Sequence, residues 1–387
     1  MAPHESRSCL FSPGGPSRVL TAVVILALLP GPTVGQEEGR VPAATELPAA
    51  TGVPAETRDW SLLPFVLYSP ETSLGFGVLF ARVQEDPDGR FRGALTVNGM
   101  YTLKNQASVG WNYDSRPETR WMILSDGSGK LSWPDRLYAP GNGAGREAYE
   151  DWTSRALDFR VKALRQLLHP ALFLGPVLGV YHFEILDFEE GGILDREAIP
   201  GAGDHGLLGV GLAGTWDSRD SQVYPRQGGF HSLSVMGFRN FHGTAGTAGR
   251  VEADLRSYHA LAGSLVLALR TRMVSAWGDV PFTLNTGIGG QGGGLRGIYE
   301  NRYAHRGAAV AVAELRFPLW RRLGGVVFGG AGEVAPGPDR FSLEGIHGSA
   351  GAGLRFALMP ASGLNVGVDF GMGEGESGVY FLLGEAF

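Results

Sequence analysis

The hexapeptide Val251-Glu252-Ala253-Asp254-Leu255-Arg256 carries the pattern that decides the fold. Its apolar and charged side chains alternate at every second position, which is the period of a β-strand whose two faces meet different surroundings. We therefore predict an all-β fold in which each strand has an apolar face and a face of polar, charged or glycine residues. The same alternation recurs in residues 95–103, 107–114, 157–163, 265–273 and 364–370.

Composition limits the class of protein. The 387-residue chain has a formal net charge of -6, contains 60 glycines, and is 10% aromatic and 19% charged. This aromatic content and low charge exclude disorder over most of the chain, and a mildly acidic chain does not fit a nucleic-acid partner.

The single cysteine, Cys9, lies in an N-terminal segment that we expect to be removed. The mature chain is thus expected to have no disulfide, zinc–thiolate site or cysteine nucleophile.

Residues 1–35 have the features of a secretory signal peptide. Arg7 and Arg18 supply positive charge, and the apolar run from Val19 to Leu29 is too short to span a bilayer as a helix. An N-terminal anchor helix is the alternative. Residues 36–59 are rich in Pro, Ala, Thr and Glu, which predicts a disordered periplasmic linker. The folded part is expected to comprise residues 60–387.

The strands that follow are long and carry aromatic residues near their ends, which indicates a transmembrane antiparallel β-barrel with a wet lumen. In lipid such a sheet must close, because open edges leave backbone groups without partners. We count about sixteen strands, an even number as in bacterial single-chain barrels. The predicted strands cover residues 62–69, 73–84, 91–103, 106–114, 119–127, 151–166, 170–187, 204–217, 228–239, 248–260, 263–275, 306–317, 323–335, 346–358, 363–373 and 376–387.

The connections between these strands agree with this topology. With both termini in the periplasm, the long connections 128–150, 188–203 and 276–305 fall on the extracellular side. Most turns on the other side are short. Short periplasmic turns and long extracellular loops are typical of outer-membrane barrels.

Four segments carry a family resemblance. They are Leu63–Thr72 followed by Gly75-Phe76-Gly77, Trp216–Asp220 with Tyr224–Phe230, Gly289–Ile298 with Glu314–Leu319, and Gly351–Phe356 with the terminal Leu383–Phe387. Together they resemble the bacterial surface antigen family, the barrel that the BamA and TamA outer-membrane assembly factors share. The resemblance covers about residues 60–387, and it implies an outer-membrane barrel of a Gram-negative-type bacterium, without a cofactor.

The resemblance assigns a role to Leu295-Arg296-Gly297-Ile298, in the connection after the eleventh predicted strand. In the family this loop folds back into the lumen, where its arginine meets inward-facing carboxylates and aromatic rings. Glu314 and Phe328 are the expected lumen partners, because a cation withdrawn from water needs compensation. The family also has an acid in an aromatic-x-Asp-x-Gly motif, but Gly330 stands at that place here. A flexible surface loop is the alternative for this segment.

A second motif is expected at the periplasmic rim. Asp217, Arg219 and Asp220 are predicted to pair with one another in a turn that also contains Pro225 and Gly228. A charged catalytic cluster is the alternative interpretation of the same residues. Because no catalytic constellation is recognisable, the chain is predicted not to be an enzyme.

His182 and Glu184 are two residues apart and are expected to share the inward face of one strand. A metal ion would need further ligands, and the sequence does not place any. No metal site is predicted.

The last strand is expected to carry the assembly signal. Val379, Phe381 and Leu383 fall at every second position and are predicted to face lipid, and the terminal Phe387 is expected in the aromatic girdle. Likeness to other outer-membrane barrels implies that this aromatic terminus is recognised by the assembly machinery. Glu385 shares the register and is expected near the membrane interface.

The functional interpretation is a barrel that assists outer-membrane assembly or acts structurally. The family's periplasmic repeat domains are not expected, because residues 36–59 leave no room for them. The expected partners are outer-membrane lipid, the assembly machinery during biogenesis and a separate periplasmic subunit. The alternative function is a pore for small solutes, which a lumen plugged by residues 276–305 disfavours.

Overall fold

The fold is that of a computed structural model, which describes residues 60–69, 71–87, 91–116, 120–196, 199–243, 246–360 and 363–387. The predicted signal peptide and linker lie outside the described residues. The structure contains one antiparallel sheet of sixteen strands in sequence order and one small sheet of two strands. The sixteen-stranded barrel predicted from the alternation is confirmed.

The elements follow one another along the chain with few interruptions. The barrel strands are β1 Trp60–Ser69, β2 Ser73–Glu85, β3 Phe91–Thr102, β4 Ala107–Ser115, β5 Trp121–Tyr138, β6 Tyr149–Gln166, β7 Leu172–Phe188, β8 His205–Asp217, β9 Gly228–Gly243, β10 Ala248–Ala260, β11 Val266–Gly278, β14 Gly307–Trp320, β15 Leu323–Ala335, β16 His347–Met359, β17 Leu364–Gly373 and β18 Glu376–Leu383. The connection from β11 to β14 contains a 3-10 turn Phe282–Leu284, β12 Thr286–Gly287, α1 Gly290–Gly293 and β13 Ala304–His305.

The two faces of the strands differ as the alternation predicts. In β10, Glu252 and Asp254 form ion pairs with arginines inside the barrel. Leu255, between Asp254 and Arg256, is 44% exposed on the outer face. The apolar outer face suits lipid, and the charged inner face suits a hydrated lumen.

Helices play little part in the described chain. Within those residues, no helix has the length and apolar character needed to cross a bilayer.

The predicted loop 128–150 is too long. β5 and β6 continue their ladder up to the pair Tyr138–Tyr149, and a register shift between Lys130 and Trp133 absorbs the irregularity. The connection is therefore only residues 139–148. A β-bulge inserts an extra residue without ending the strand, and the sequence alternation breaks at that point.

The connection from β11 to β14 folds into the lumen. Ile288, Leu295 and Ile298 are fully buried, and they pack against Val310 and Val312 on the inner face of β14. The segment is therefore not a flexible surface loop. We call residues 279–306 the inserted loop.

The barrel is nearly closed. β1 pairs with β2, and β18 pairs with β17. β1 and β18 lie next to each other, but no backbone ladder joins them in the described chain. Pro64 in β1 has no N–H to donate, which weakens this edge further. We call the β1–β18 junction the seam.

Candidate functional site: a ring of charges between the inserted loop and the C-terminal tail

Arg296 of the inserted loop lies deep in the barrel, with only 2% of its side chain exposed. It donates a hydrogen bond to Glu314 Oε1 at 2.5 Å and a second to Asp369 Oδ2. Its guanidinium carbon lies 3.5 Å from the centre of the Phe328 ring. The structure thus places Arg296 between two carboxylates and the face of an aromatic ring, where a cation is favoured.

These contacts are part of a closed ring of charges. Glu314 also accepts hydrogen bonds from Arg316, the nearer at 2.9 Å, and Arg316 approaches Glu385 at 3.6 Å. Arg355 then bonds Glu385 at 3.0 Å and Asp369 at 2.5 Å, which leads back to Arg296. We call this set the charge ring, and its members are Arg296, Glu314, Arg316, Glu385, Arg355 and Asp369.

The ring is electrically balanced and almost dry. Its three guanidiniums and three carboxylates have side chains that are at most 5% exposed. Each charge touches two of opposite sign, so the desolvation cost of each is offset by two partners. Removing one member leaves buried charges uncompensated, which is the costly case for a buried pair.

Two glycines make room for the ring. A Cβ atom on Gly353 would lie 1.9 Å from Asp369 Oδ1, so only glycine lets that carboxylate reach across from β17. Gly297 has φ +109, and a Cβ there would lie 2.3 Å from the Met372 nitrogen. The inserted loop therefore lies backbone to backbone against β17.

Gly330 stands at the place of the family's acid, and the structure shows why it is small. A Cβ atom there would lie 2.9 Å from Leu295 Cδ2 and 2.9 Å from the Ala311 carbonyl oxygen. Leu295 of the inserted loop occupies the space, and Asp369, two strands away, provides the second carboxylate for Arg296. Neither Asp369 nor Arg355 was predicted from the sequence to belong to this site. For Asp369 the sequence did contain a signal, because this residue falls on the polar side of the alternation in β17.

The inserted loop is also bonded to the seam strand β18 and to β5. Gly297 donates its N–H to the Tyr380 hydroxyl at 2.9 Å, and Tyr299 donates its N–H to Glu376 at 2.7 Å. The Tyr299 hydroxyl donates to Asp135 at 2.8 Å. Such side-chain bonds fix the loop backbone inside the barrel, where water cannot fully replace them.

The end of the chain differs from the prediction. β18 ends at Leu383, and Gly384 follows with φ +80, a left-handed conformation that turns the chain inward. Glu385 is then buried in the charge ring and does not face lipid. Phe387 is also not at a lipid-facing position, since its ring packs against the buried cluster that contains Leu295 and lies 5.5 Å from the Arg316 guanidinium carbon. Its backbone oxygen accepts a bond from Arg316 at 2.9 Å. The strand register predicted for residues 384–387 is therefore wrong.

The other two residues of the predicted terminal signal lie on the outer face. Phe381 and Leu383 alternate with the buried Tyr380 and Leu382. Their role in recognition by the assembly machinery stays a prediction.

The turn predicted at the periplasmic rim forms a compact set of polar contacts. Asp217 receives two bonds of 2.9 Å from Arg219, and a third of 2.7 Å comes from Arg116. Asp220 accepts from the backbone N–H groups that follow it in the turn, at residues 226 and 227. The Asp217 carboxylate is buried between two guanidiniums that compensate its charge. The geometry suits a structural turn.

Two further residues of the turn limit its backbone. Pro225 is buried, and Gly228 has φ +90 with its absent Cβ 2.1 Å from the Ser218 carbonyl oxygen. No other residue fits this position without moving the backbone.

His182 and Glu184 lie on the outer face and not in the lumen. The alternate residues Val177 and Phe183 of β7 are buried, whereas Leu178 is 49% exposed on the same face as His182. His182 bonds Glu184 at 2.9 Å, which gives both polar groups a partner on this face. The inward face predicted for this pair is wrong, because the apolar inner residues of β7 pack against the inserted loop and its neighbours.

Comparison with known proteins gives the same architecture. Residues 196–387 match the Omp85 superfamily domain. The chain is similar to BamA from Haemophilus ducreyi lacking POTRA domains 1-3, at 13% identity and a TM-score of 0.51, over 84% of this chain and 69% of that one. It is also similar to CdiB from Acinetobacter baumannii, at 12% identity and a TM-score of 0.53, over 83% of this chain and 58% of that one.

The chain thus spans less than two thirds of CdiB. At these identities the likeness to solved structures shows the fold alone. No curated protein matches the sequence.

The matched domain contains the whole charge ring and the inserted loop. The family comprises Gram-negative outer-membrane barrels that serve assembly or transport and do not act as enzymes. The chain forms a BamA/TamA-like outer-membrane β-barrel, and its residues 196–387 match the Omp85 superfamily domain.

Proposed function

We propose that this barrel assists the assembly of the outer membrane through its seam. One observation carries the proposal. The charge ring joins Arg296 of the inserted loop to Glu385 of the tail that follows β18, while β1 and β18 share no described ladder. A shift of the inserted loop would therefore act directly on the strand that borders the seam.

The chemistry of the seam supports this role. An edge strand offers unpaired N–H and C=O groups, and an incoming strand can pair with them. In lipid such pairing is strongly favoured, because no water satisfies these groups. The seam strands of this barrel are short, at ten and eight residues for β1 and β18, which limits the contact between the two edges.

We further propose that a separate periplasmic subunit delivers substrates to the barrel. The proposal rests on the predicted linker of residues 36–59, which has no pattern of a folded domain. Affinity purification of the tagged barrel from crosslinked cells tests it. A stoichiometric periplasmic protein is the expected result, and its absence would contradict this part.

The assembly role is tested by reconstitution. The protein in liposomes should accelerate the folding of a urea-denatured eight-stranded barrel, compared with empty liposomes. A disulfide between one cysteine in β1 and one in β18, chosen by crosslinking yield, should abolish the acceleration until a reductant is added. The matched control is Ala213→Cys with Ser234→Cys, which are paired neighbours in β8 and β9 away from the seam.

The control disulfide should leave the acceleration unchanged. Equal folding rates with and without the protein would exclude the assembly role under these conditions. Equal inhibition by both disulfides would mean that the seam has no special part.

A second candidate function, a pore for small solutes, is favoured by the charged inner wall of β6, β10 and β11. Conductance in a planar bilayer tests it. A pore should conduct more when the inserted loop is removed, whereas a barrel that acts only through its seam should show little current in its complete form.

A further inference from the structure

A cavity of about 210 Å³ lies between the inserted loop and the inner wall of β10 and β11. Arg250 and Arg272 line it from the wall, and Asn285, Thr286 and Glu300 line it from the loop. None of the charge-ring residues borders this cavity in the described chain. It is thus a separate feature of the lumen.

Two polar atoms at the cavity have no partner. Thr286 is 6% exposed, yet its hydroxyl makes no hydrogen bond with any described residue. The Nε of Arg250 is also buried without an acceptor in the described structure. Buried polar groups are nearly always satisfied in folded proteins, so both atoms indicate a missing partner.

The wall beside the cavity has an excess of positive charge. Glu252 is shared by Arg160 at 3.6 Å, Arg250 at 3.5 Å and Arg272 at 2.9 Å. Among the described residues the network contains five guanidiniums and three carboxylates, namely Arg160, Arg250, Arg256, Arg270 and Arg272 with Asp126, Glu252 and Asp254. The charge ring is balanced, whereas this network has two more guanidiniums than carboxylates, and its side chains are 12–39% exposed to the lumen.

Arg272 has further donors to offer. Its Nε bonds Glu252 Oε1 at 2.9 Å, and its two terminal nitrogens make no hydrogen bond with another described residue. A guanidinium with free donors beside an unpaired hydroxyl matches the oxygens of a phosphate group.

We propose that this cavity binds a small oxyanion, with phosphate or a phosphate ester as the chemical class. Arg250 and Arg272 pair with the anionic oxygens, and Thr286 donates its hydroxyl. Glu300, across the cavity, is the acidic residue that borders it in the described chain, and its charge opposes the anion. A bound anion offsets the excess positive charge of the wall.

The test uses the full barrel in detergent micelles, titrated with inorganic phosphate in an isothermal calorimeter. Glycerol 3-phosphate and glycerol are titrated in parallel. Saturable binding of phosphate is expected, and glycerol should not bind. Tighter binding of the ester would indicate an organic phosphate as the natural ligand, whereas equal binding would indicate the free ion.

The variants report on each part of the site. Arg250→Gln and Arg272→Gln should each weaken phosphate binding at least tenfold, because a charge-assisted contact is lost. Thr286→Val keeps the shape of the side chain and should weaken binding about three- to tenfold. Glu300→Gln should tighten binding, since a like charge is removed. Arg155→Gln, in an exposed pair on the outer face with Glu184, is the control and should bind as the parent does.

Folding must be separated from binding in these variants. Arg250→Gln could disturb folding, so each variant is first checked by its heat-modifiable migration, and Thr286→Val and Glu300→Gln avoid the wall altogether. The inference is overturned if the parent shows no saturable phosphate binding, if the arginine variants bind as the parent does, or if Glu300→Gln does not tighten binding.

Discussion

Arg296 and Asp369 are 73 residues apart in sequence, yet the guanidinium of one donates to the carboxylate of the other inside the barrel. Asp369 thereby provides the carboxylate for Arg296 that an acid at position 330 would otherwise provide. The same carboxylate bonds Arg355, which holds Glu385 of the tail. One aspartate therefore links the inserted loop to the residues that follow the last strand.

Loss of either partner should release the inserted loop. We expect Arg296→Ala and Asp369→Asn each to destabilise the barrel by ~3–5 kcal/mol, or less where water enters, because buried charges lose a partner. The measurements are the temperature of the heat-modifiable shift in gel migration and the protease resistance of the inserted loop.

The control for this pair is Arg340→Ala. Arg340 and Asp339 form an ion pair whose side chains are 71% and 76% exposed, so the change should cost at most about 1 kcal/mol. Parent-like migration and protease resistance in Arg296→Ala would show that the loop is anchored by other contacts.

Gly353→Ala should act on the charge ring without touching a charge. The added methyl group would displace Asp369, because a Cβ at this position would lie 1.9 Å from the Oδ1 atom of that carboxylate. Overpacking of this kind costs ~1–3 kcal/mol, and the inserted loop should become protease-sensitive as in Asp369→Asn. Gly99→Ala is the control, because a Cβ there meets nothing within 4 Å. Similar melting temperatures of Gly353→Ala and Gly99→Ala would show that the missing Cβ at Gly353 does not matter for the charge ring.

Acidification should stabilise the contact between the inserted loop and the β1–β2 turn. Burial is the main cause that raises the pKa of Glu71, whose Oε1 accepts the Glu300 N–H at 3.1 Å. Since the folded state binds this proton more tightly than the unfolded state, stability falls as pH rises from the ordinary glutamate pKa through the raised one.

The variant Glu71→Gln isolates this effect. It keeps an acceptor for the Glu300 N–H and removes the buried charge, so it should be as stable as the parent near pH 4 and more stable at pH 8. The urea midpoint of the loop's protease resistance, measured at both values, provides the comparison. If the parent were more stable than the variant at pH 8, the ionised Glu71 carboxylate would have to be compensated by its surroundings.

Deletion of Phe387 should reduce the amount of barrel in the outer membrane. The deletion removes the terminal aromatic and the backbone oxygen that Arg316 contacts at 2.9 Å. We expect the protein to accumulate in the periplasm or to be degraded, as seen by fractionation and immunoblotting. Phe387→Tyr keeps the ring and the backbone and should reach normal levels. Normal outer-membrane levels after the deletion would place the assembly signal elsewhere, with Phe381 and Leu383 as the next residues to test.

The sequence by itself determined the barrel and most of its strands. Alternation with a period of two depends only on neighbours along one strand, so the outward Leu255 and the inward Glu252 could be assigned without knowledge of their partners. The loop arginine Arg296 and its acid Glu314 could be found because the family motif places them.

The tertiary structure decided which charges meet and where the chain leaves the sheet. Asp369, Arg355 and Glu385 come from three different segments, and strand pairing together with the inward turn of the tail brings them into contact. A single glycine in the left-handed conformation, Gly384, turns the tail towards the lumen. The period of two predicts the face of a residue only while the backbone stays extended. The alternation thus fixed the faces of regular strands, whereas contacts between distant strands and the inward turn of the tail depended on three-dimensional closure.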